Sequence, residues 1–519
     1  MEQHRAAGIL LHPTSLPGPD GIGDLGSEAY RWVDFLHQSG CQFWQVLPLG
    51  PTGYGDSPYQ CFSAFAGNPY LISAATLLDQ GLLKQEDLAD RPDFPLEKVD
   101  YGRAIQWKLN LVHRAYKRFD SDSRDDLRAE FDTFKSTQQG WLAPFTTFMA
   151  IKTKFDLVAW NNWPEELRLR DPKALKAFKK DHIDQIEEQA FAQFLFYRQW
   201  QALRVYAHQK GIRIIGDIPI FVAYDSADVW VHKDLFHLDE KGLPEVVAGV
   251  PPDYFSETGQ LWGNPLYRWD VHKKQGYAWW AQRIKAVLNQ VDIVRLDHFR
   301  GFEAYWEIPY GNETAVEGQW VKGPGTDFFR AIKKELGELP IIAEDLGVIT
   351  EGVTKMRDEF NLPGMKILQF AFAADPDDDF LPHNYPVKCV AYTGTHDNNT
   401  TRGWYESAPE REKDLCRRYL ARSGQDIAWS MIRALWQSVA AWVLAPMQDF
   451  LDLGEWARMN YPGNPSGNWG WRMHPNAINE GLIARLHEIN YLYGRLPKEE
   501  KEALHEEMIK DMDGQVMPH

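Results

Sequence analysis

The chain has 519 residues, and its 56 Lys and Arg against 73 Asp and Glu give a formal net charge of −17. Such an acidic surface repels nucleic acid and anionic membranes, so we expect neither as a partner and favour a neutral one. The 21 Trp and 21 Tyr offer broad aromatic faces of the kind that pack on sugar rings, although some of them serve a large core.

The four cysteines indicate neither a disulfide framework nor a zinc ribbon, because they are far apart and form no CxxC pair. They are Cys41, Cys61, Cys389 and Cys416. The beginning of the sequence, MEQHRAAGILLHPTSLPG, has no apolar run as long as a signal peptide needs. The most apolar helix-like run, 429–447, carries Arg433 and Gln437 and is not apolar enough to span a bilayer. We therefore expect a soluble, reduced, cytoplasmic protein.

The N-terminal part begins with a short apolar run at 8–11, followed by turn residues and a helix from Ser27, its predicted N-cap, to about Gln38. Between them, GIGDLG at 21–26 formally matches the dinucleotide-binding pattern GxGxxG. No strand leads directly into its first glycine, and the next predicted strand, at 42–49, lacks the acidic residue that would bind a ribose. The pattern therefore indicates a glycine-rich rim loop.

A long loop with several aromatic residues follows at 50–72, and loops of this kind usually bind a ligand. From 77 to 210 the sequence becomes rich in charge and keeps apolar stripes at helical spacing. We predict a mainly helical insertion over 77–210.

Beyond residue 210, apolar runs alternate with turn residues and helical patterns, which is typical of a parallel sheet. The predicted strands lie at 212–218, 291–297, 339–344, 365–372 and 389–395. Four of them end in ionisable residues, and carboxylates at the C-terminal ends of strands are expected at the mouth of a (β/α)8 barrel. We predict an α/β fold, a (β/α)8 TIM barrel in which 1–519 form a single catalytic unit. A doubly wound open sheet is the alternative, although it gathers ligands at only one crevice.

The most informative stretch is DIVRLDHFRGF, residues 292–302, where an apolar strand ends in charged side chains. Side chains alternate along a strand, so we expect Val291 and Ile293 to share one face with the two charged residues that follow. Those residues are Arg295 and Asp297, and a pair of this kind can also be a buried ion pair that only closes the barrel.

Two strand-end carboxylates suit the cleavage of a glycosidic bond, which needs one protonated carboxyl and one ionised carboxylate. Arg295 should keep Asp297 ionised and nucleophilic, whereas the apolar strand before Glu344 should raise its pKa toward roughly 6 to 7. Asp397, with His396 beside it, would be a third carboxylate that fixes sugar hydroxyls or stabilises positive charge. Taken singly, the motifs Glu344-Asp345 and His396-Asp397 could each instead cap a helix that follows the strand.

Two further loops, at 246–269 and 459–471, are rich in Gly, Pro, Asn and aromatic residues. They are too long for simple connectors and look like lids over a site. No EF-hand or HExxH motif occurs, and we expect neither a metal nor an organic cofactor.

Over nearly its whole length the chain resembles the 4-α-glucanotransferases of glycoside hydrolase family 77, also called amylomaltases or disproportionating enzymes. The resemblance rests on GILLHPTSLPGPDGIGDLG, FWQVLPLGPTGYGDSPYQ, SAFAGNPYLI, IIGDIPIFV, GVPPDYFSETGQLWGNPLY, VRLDHFRGFEAYW, IIAEDLGVIT, YTGTHDNNT and MNYPGNPSGNW. It implies retaining, double-displacement transfer of an α-1,4-glucan segment to the 4-hydroxyl of an acceptor. Glucans, maltooligosaccharides and, as acceptor, glucose are the implied substrates, with no cofactor.

The resemblance also implies roles for individual residues. Asp297 matches the nucleophile, Glu344 the acid/base and Asp397 the carboxylate that stabilises the transition state. The implied or expected substrate-binding residues are Arg295, His396, Asp217, Tyr59, Trp262, Asn464 and Pro465, and those of a secondary glucan groove are Tyr54 and Tyr101. The two loops match lid loops that favour transfer over hydrolysis, while Asn399 stands where the family usually has Asp.

Two other functions stay open at this point. A retaining α-amylase-type hydrolase would use the same carboxylates but let water attack the intermediate, and only the lid loops argue against it. A non-catalytic α-glucan-binding protein would use the aromatic residues alone, yet none of the three carboxylates is missing.

Overall fold

The structure, a computed structural model, describes residues 4–122, 124–252, 256–373, 377–464 and 466–514. The strands within these residues are β1 (Ala6–Leu10), β2 (Phe43–Gln45), β3 (Arg213–Ile218), β4 (Val246–Val250), β5 (Gln260–Pro265), β6 (Ile293–Leu296), β7 (Ala304–Pro309), β8 (Gln319–Lys322), β9 (Ile341–Ala343), β10 (Gly364–Ile367), β11 (Cys389–Tyr392) and β12 (Trp442–Pro446).

The α-helices of the same residues divide between the 77–210 region and the crossovers of the sheet. They are α1 (Ser27–Gln38), α2 (Ala74–Asp79), α3 (Tyr101–Ser121), α4 (Asp125–Lys154), α5 (Glu165–Arg168), α6 (Pro172–Asp181), α7 (Ile183–Gln209), α8 (Ala227–Val231), α9 (Trp269–Lys274), α10 (Ala278–Leu288), α11 (Thr326–Leu336), α12 (Glu351–Glu359), α13 (Thr401–Ser407), α14 (Glu410–Leu420), α15 (Ile427–Gln437), α16 (Met447–Phe450), α17 (Glu480–Leu492) and α18 (Lys498–Gly514). None of the helices in the described part of the chain is long and apolar enough to cross a membrane.

Eight parallel strands form the central sheet, in the order β10-β11-β12-β1-β2-β3-β6-β9. The two terminal strands, β9 and β10, meet without a ladder of hydrogen bonds. The Ala343 N–H donates to the Pro363 carbonyl at 2.9 Å, and the Met365 N–H donates to the Asp345 carboxylate at 2.8 Å. The sheet is therefore a nearly closed barrel with helical crossovers, which confirms the predicted (β/α)8 fold and excludes the open sheet.

The barrel interior is a compact apolar cluster, to which alternate residues of the strands contribute. Its buried members are Ala6, Phe43, Ile215, Ile293, Ile342, Met365, Ile367, Val390, Tyr392, Trp442 and Leu444. The prediction that Val291 shares the face of Ile293 is wrong. Val291 precedes β6 and packs in the outer core beside Gly216, because the extended strand begins only at Ile293.

The strand β12 is missing from the predicted set, because the apolar run 429–447 reads as helix-like throughout. The structure divides that run between α15 and β12. β12 lies between β11 and β1, and all five of its residues are buried. A strand that is buried on both faces is apolar without alternation, so periodicity does not distinguish it from a buried helix.

A second, antiparallel sheet has the order β5-β4-β7-β8. It shows that the predicted loop 246–269 is largely a hairpin, since β4 and β5 occupy both of its arms. The β-prone runs VVAGV and QLWGNP are too short, and too rich in glycine, for a strand signal to stand out.

The glycine-rich rim loop at 21–26 leads into α1, whose N-cap is Gly26 and not the predicted Ser27. Buried ion pairs join this part of the chain to α3. The Lys108 Nζ lies 3.0 Å from an Asp24 carboxylate oxygen and 3.9 Å from one of Asp20, and the Lys108 side chain is only 1% exposed. The loop is thus a structural junction between the barrel and the helical region.

Candidate active site

The C-terminal ends of adjacent barrel strands bring the predicted site residues together. Asp217 and Arg295 are register partners on β3 and β6, and β9, which follows β6 in the sheet, leads directly into Glu344. Asp297 follows β6, and its N–H donates to the Ile218 carbonyl at 2.9 Å. Parallel strands end at one rim, so residues far apart in sequence converge there.

Arg295 bridges two carboxylates at this rim. Its Nη1 donates to Asp217 Oδ2 at 2.5 Å and its Nη2 donates to Asp297 Oδ1 at 2.9 Å. Burial raises the pKa of Asp217 to about 6, although the Arg295 charge and the Tyr59 hydroxyl oppose that rise. The Asp297 side chain is 27% exposed, whereas the Arg295 side chain is 4% exposed. The pair is therefore open toward the rim on the carboxylate side, as a nucleophile requires.

Glu344 is held by two backbone N–H groups. His298 N–H donates to one carboxylate oxygen at 2.7 Å and Leu346 N–H donates to the other at 3.0 Å. Burial raises the pKa of Glu344 to about 8, and the Asp297 charge adds to the rise, while Arg295 and the two N–H groups oppose it. The direction is the one that the sequence predicts, and it leaves Glu344 largely protonated at neutral pH.

Asp397 accepts hydrogen bonds from its surroundings. Asn460 Nδ2 donates to its Oδ1 at 2.7 Å, and His396 Nε2 lies 3.3 Å from its Oδ2. Burial would raise the pKa of Asp397, but the nearby His396 and the bonds from His396 and Asn460 outweigh it and lower that pKa. Asp397 is therefore an ionised carboxylate, in contrast to Glu344.

Neither Glu344-Asp345 nor His396-Asp397 caps a helix, so the alternative in which they serve only as N-caps is excluded. α12 is capped by Thr350, whose side chain accepts from the Val353 N–H. α13 is capped by Thr400, whose side chain accepts from the Gly403 N–H.

Aromatic rings form a wall beside these carboxylates. The Tyr59 hydroxyl donates to Asp217 Oδ2 at 2.8 Å, and its ring stacks on His396 with centroids 5.1 Å apart. Trp469 packs against both rings, at 5.8 Å from Tyr59 and 5.9 Å from His396. The wall connects the 50–72 loop with the 459–471 loop.

Trp262 lies on β5 above the residue that follows Asp297. Its ring is 4.9 Å from the His298 ring in an edge-on arrangement, and its Nε1 donates to Gln260 Oε1 at 3.1 Å. The ring is only partly buried. It therefore anchors its hairpin and also leaves part of its surface toward solvent.

The remaining predicted residues lie farther out. Asn464 is exposed, and its carbonyl accepts from Asn468 Nδ2 at 2.8 Å; Pro465 lies outside the described residues. Tyr54 is 75% exposed, whereas the Tyr101 hydroxyl donates to the Trp469 carbonyl at 3.0 Å. The secondary glucan groove at Tyr54 and Tyr101 stays a prediction.

Several residues that contact the site were not singled out from the sequence, among them His298, Asn460 and Trp469. His298 directly follows Asp297, and the other two lie inside the predicted 459–471 loop. Their place in the sequence was therefore the signal that could have predicted their contact with the site. Among the described residues, no group of three or more His, Cys, Asp or Glu side chains is arranged to hold a metal ion.

Comparisons with known proteins agree with this geometry. The family model described as 4-alpha-glucanotransferase matches residues 11–478. The 4-alpha-glucanotransferase of Thermus thermophilus is 53% identical over 94% of this chain and 98% of its own length. That of Synechocystis sp. is 49% identical over 95% of this chain and 99% of its own length.

A solved structure of amylomaltase from Streptococcus agalactiae in complex with acarbose superposes with a TM-score of 0.92 at 40% identity. The match covers 95% of this chain and all of the other. The chain therefore belongs to the 4-alpha-glucanotransferases, glycoside hydrolase family 77, and is an enzyme of that transferase class.

Proposed function

We propose that the enzyme transfers a segment of an α-1,4-glucan to the 4-hydroxyl of an acceptor glucan or glucose by retaining double displacement. One observation carries the assignment of roles. At a single barrel mouth, Arg295 is bonded to the Asp297 carboxylate, while burial raises the pKa of Glu344 to about 8. Two carboxyl groups in opposite protonation states are what this chemistry requires.

In the first step, Asp297 attacks the anomeric carbon of the donor and forms a covalent glycosyl ester. The glycosidic bond breaks, and its oxygen takes the proton of Glu344, so the reducing-end part of the donor leaves as an alcohol. Positive charge develops on the sugar ring in the transition state of this step. Asp397, held ionised by His396 and Asn460, stabilises that charge.

In the second step, the acceptor 4-hydroxyl loses its proton to the now ionised Glu344 and attacks the same carbon. The bond to Asp297 breaks, and both carboxyl groups return to their starting states. Two inversions at one carbon retain its configuration.

An acceptor sugar competes with water at about 55 M, so it wins only through binding and orientation, which can reach effective molarities of roughly 10⁵ M. The hairpin that carries Trp262 and the 459–471 loop lie at the site and are the proposed acceptor platforms. Tyr254, within the predicted 246–269 loop, lies outside the described residues.

The proposed substrates are maltooligosaccharides and the α-1,4-glucans of starch or glycogen. The acarbose bound to the Streptococcus agalactiae relative supports an oligosaccharide site. We place the enzyme in the cytoplasm, because Cys41, Cys61, Cys389 and Cys416 are free thiols.

Maltotriose as sole substrate tests the proposal. A glucanotransferase produces glucose together with maltotetraose and longer oligomers, because each transfer conserves the number of glycosidic bonds. The reducing-end concentration should therefore stay nearly constant while glucose rises. A rise in reducing ends with only shorter products would identify the α-amylase-type hydrolase instead.

A further inference from the structure

The base of the 459–471 loop is bonded directly to the His396–Asp397 pair. Asn460 makes two of these bonds, since its Nδ2 donates to Asp397 Oδ1 at 2.7 Å and its N–H donates to the His396 carbonyl at 3.1 Å. One bond orients the carboxylate and the other fixes the backbone beside it. A single residue of the loop therefore ties both parts of the pair.

Arg458 adds a second connection from the same segment. Its Nη2 donates to the Asp397 carbonyl at 2.6 Å and its Nε donates to the Asn460 carbonyl at 2.7 Å. Its guanidinium also lies 4.4 Å from the centre of the Tyr461 ring. Two directed bonds from one planar group require Arg, because Lys presents a single point donor on a flexible stem.

The loop closes on itself just beyond these contacts. The Trp469 N–H donates to the Met459 carbonyl at 2.6 Å, and the Tyr461 N–H donates to Asn468 Oδ1 at 3.0 Å. Trp469 then packs on the His396 ring. The loop base and the His396–Asp397 pair are thus one connected unit with contacts at both ends of the loop.

We propose that Asn460 and Arg458 are positioning residues, through which the base of the 459–471 loop holds Asp397 in the orientation that stabilises the transition state. The inference rests on the proposed role of Asp397. It makes the conformation of the loop a determinant of the chemical step, in addition to its effect on the acceptor. Loss of either connection should lower kcat with little effect on the KM for the donor.

The first test is a double-mutant cycle of Asn460→Ala with Asp397→Asn, with α-maltosyl fluoride as donor and fluoride release as readout. Asn460→Ala alone should lower kcat about 10- to 100-fold, the range of a lost charge-assisted hydrogen bond. In the Asp397→Asn background it should have almost no further effect, because the negative charge that Asn460 holds in place is already gone. Arg402→Lys, at an exposed arginine bonded to Glu406 outside this unit, should change kcat by the same small factor in both backgrounds.

The second test uses Arg458→Ala and guanidinium ion. The variant should lose at least about 10-fold in kcat, and millimolar guanidinium should restore part of it, whereas Arg458→Lys should stay impaired. Arg402→Lys, an exposed arginine bonded to Glu406, is the matched control and should keep the parent kcat. Thermal unfolding shows whether each variant is folded, and the near-isosteric Asn460→Leu, which lacks the donor and adds no charge, replaces Asn460→Ala if that protein is unstable.

The outcomes separate the two hypotheses. If Asp397→Asn leaves kcat unchanged, the proposed role of Asp397 is wrong. Suppose instead that Asp397→Asn is impaired, that Asn460→Ala lowers kcat by the same factor in both backgrounds, and that guanidinium does not rescue Arg458→Ala. The positioning role of Asn460 and Arg458 is then overturned, and the catalytic role of Asp397 stands.

Discussion

Glu344 and Asp397 lie at one rim but reach different protonation states through their neighbours. Glu344 is half-buried and accepts from two backbone N–H groups, and burial raises its pKa to about 8, so it keeps its proton at neutral pH. Asp297 is bonded to Arg295, and Asp397 to Asn460 and His396. The difference arises from partners within hydrogen-bond reach and not from the residue types alone.

Asp297→Asn should lower kcat for transfer at least about 10³-fold, because the amide cannot form the covalent ester and each 1.36 kcal/mol of barrier is a factor of ten. Arg295 would still be paired with Asp217, so the fold should survive. Glucose release from maltotriose measures the loss. Asp270→Asn, which removes an exposed carboxylate, is the control; a folded Asp297→Asn protein with a few per cent of activity would refute the nucleophile.

The rate on maltotriose should fall as the pH rises through about 8. Burial raises the pKa of Glu344 to about 8, so the protonated acid is present below that pH and is lost above it. With α-maltosyl fluoride, whose leaving group needs little protonation, the alkaline fall in kcat/KM should be much weaker.

Glu344→Gln should lose about 10²–10⁴-fold on maltotriose but retain a rapid first-turnover burst of fluoride release from α-maltosyl fluoride. In that variant a covalent adduct on Asp297 should accumulate and be visible by intact mass. In the pH experiment on the parent enzyme, an alkaline fall in kcat/KM of equal size with maltotriose and α-maltosyl fluoride would show that a group other than Glu344 titrates there.

At the scale of elements, the barrel and its site follow from local patterns to different extents. The apolar run before Arg295 and Asp297 predicts a strand end with chemistry on it, and the structure has that strand end. β12 was not predicted because complete burial removes the alternation of apolar and polar residues that marks a strand. The 246–269 hairpin was not predicted because its short, glycine-rich strands resemble a loop. Asn460 was not predicted because its partner, Asp397, is 63 residues away in sequence and meets it only through the tertiary fold.

Trp262→Ala should lower the transfer-to-hydrolysis ratio on maltotriose by about 2- to 10-fold and affect donor cleavage less. The reason is the loss of an aromatic surface worth about 0.5–1.5 kcal/mol to an acceptor ring. Free glucose and new reducing ends, measured together, give the ratio. Leu261→Ala, on the same strand and 38% exposed, is the control; an equal ratio in both variants would place acceptor selection elsewhere.

At the scale of the whole molecule, buried charges connect the helical region to the barrel. Lys108→Ala should lower the free energy of unfolding by about 3 kcal/mol, because it leaves the Asp24 carboxylate without its buried cation. Lys117→Ala, on the same helix but with its side chain 51% exposed, should change it by less than about 1 kcal/mol. Urea unfolding of both variants at neutral pH makes the comparison, and equal losses would contradict the structural role of the buried pair.

The line along which β9 meets β10 is the part of the barrel wall with the fewest backbone hydrogen bonds among the described strands. Elsewhere the backbone amides belong to continuous ladders, but here the Met365 amide is held by the Asp345 side chain, which also pairs with Arg357 at 2.6 Å. Opening along this line needs few bonds to break, so deuterium should replace the amide hydrogens of Ala343 and Met365 sooner than those between β3 and β6. Because Glu344 follows β9 directly, opening along this line would loosen one side of the segment that carries this carboxyl, whereas Asp297 follows β6, which is paired on both sides with β3 and β9.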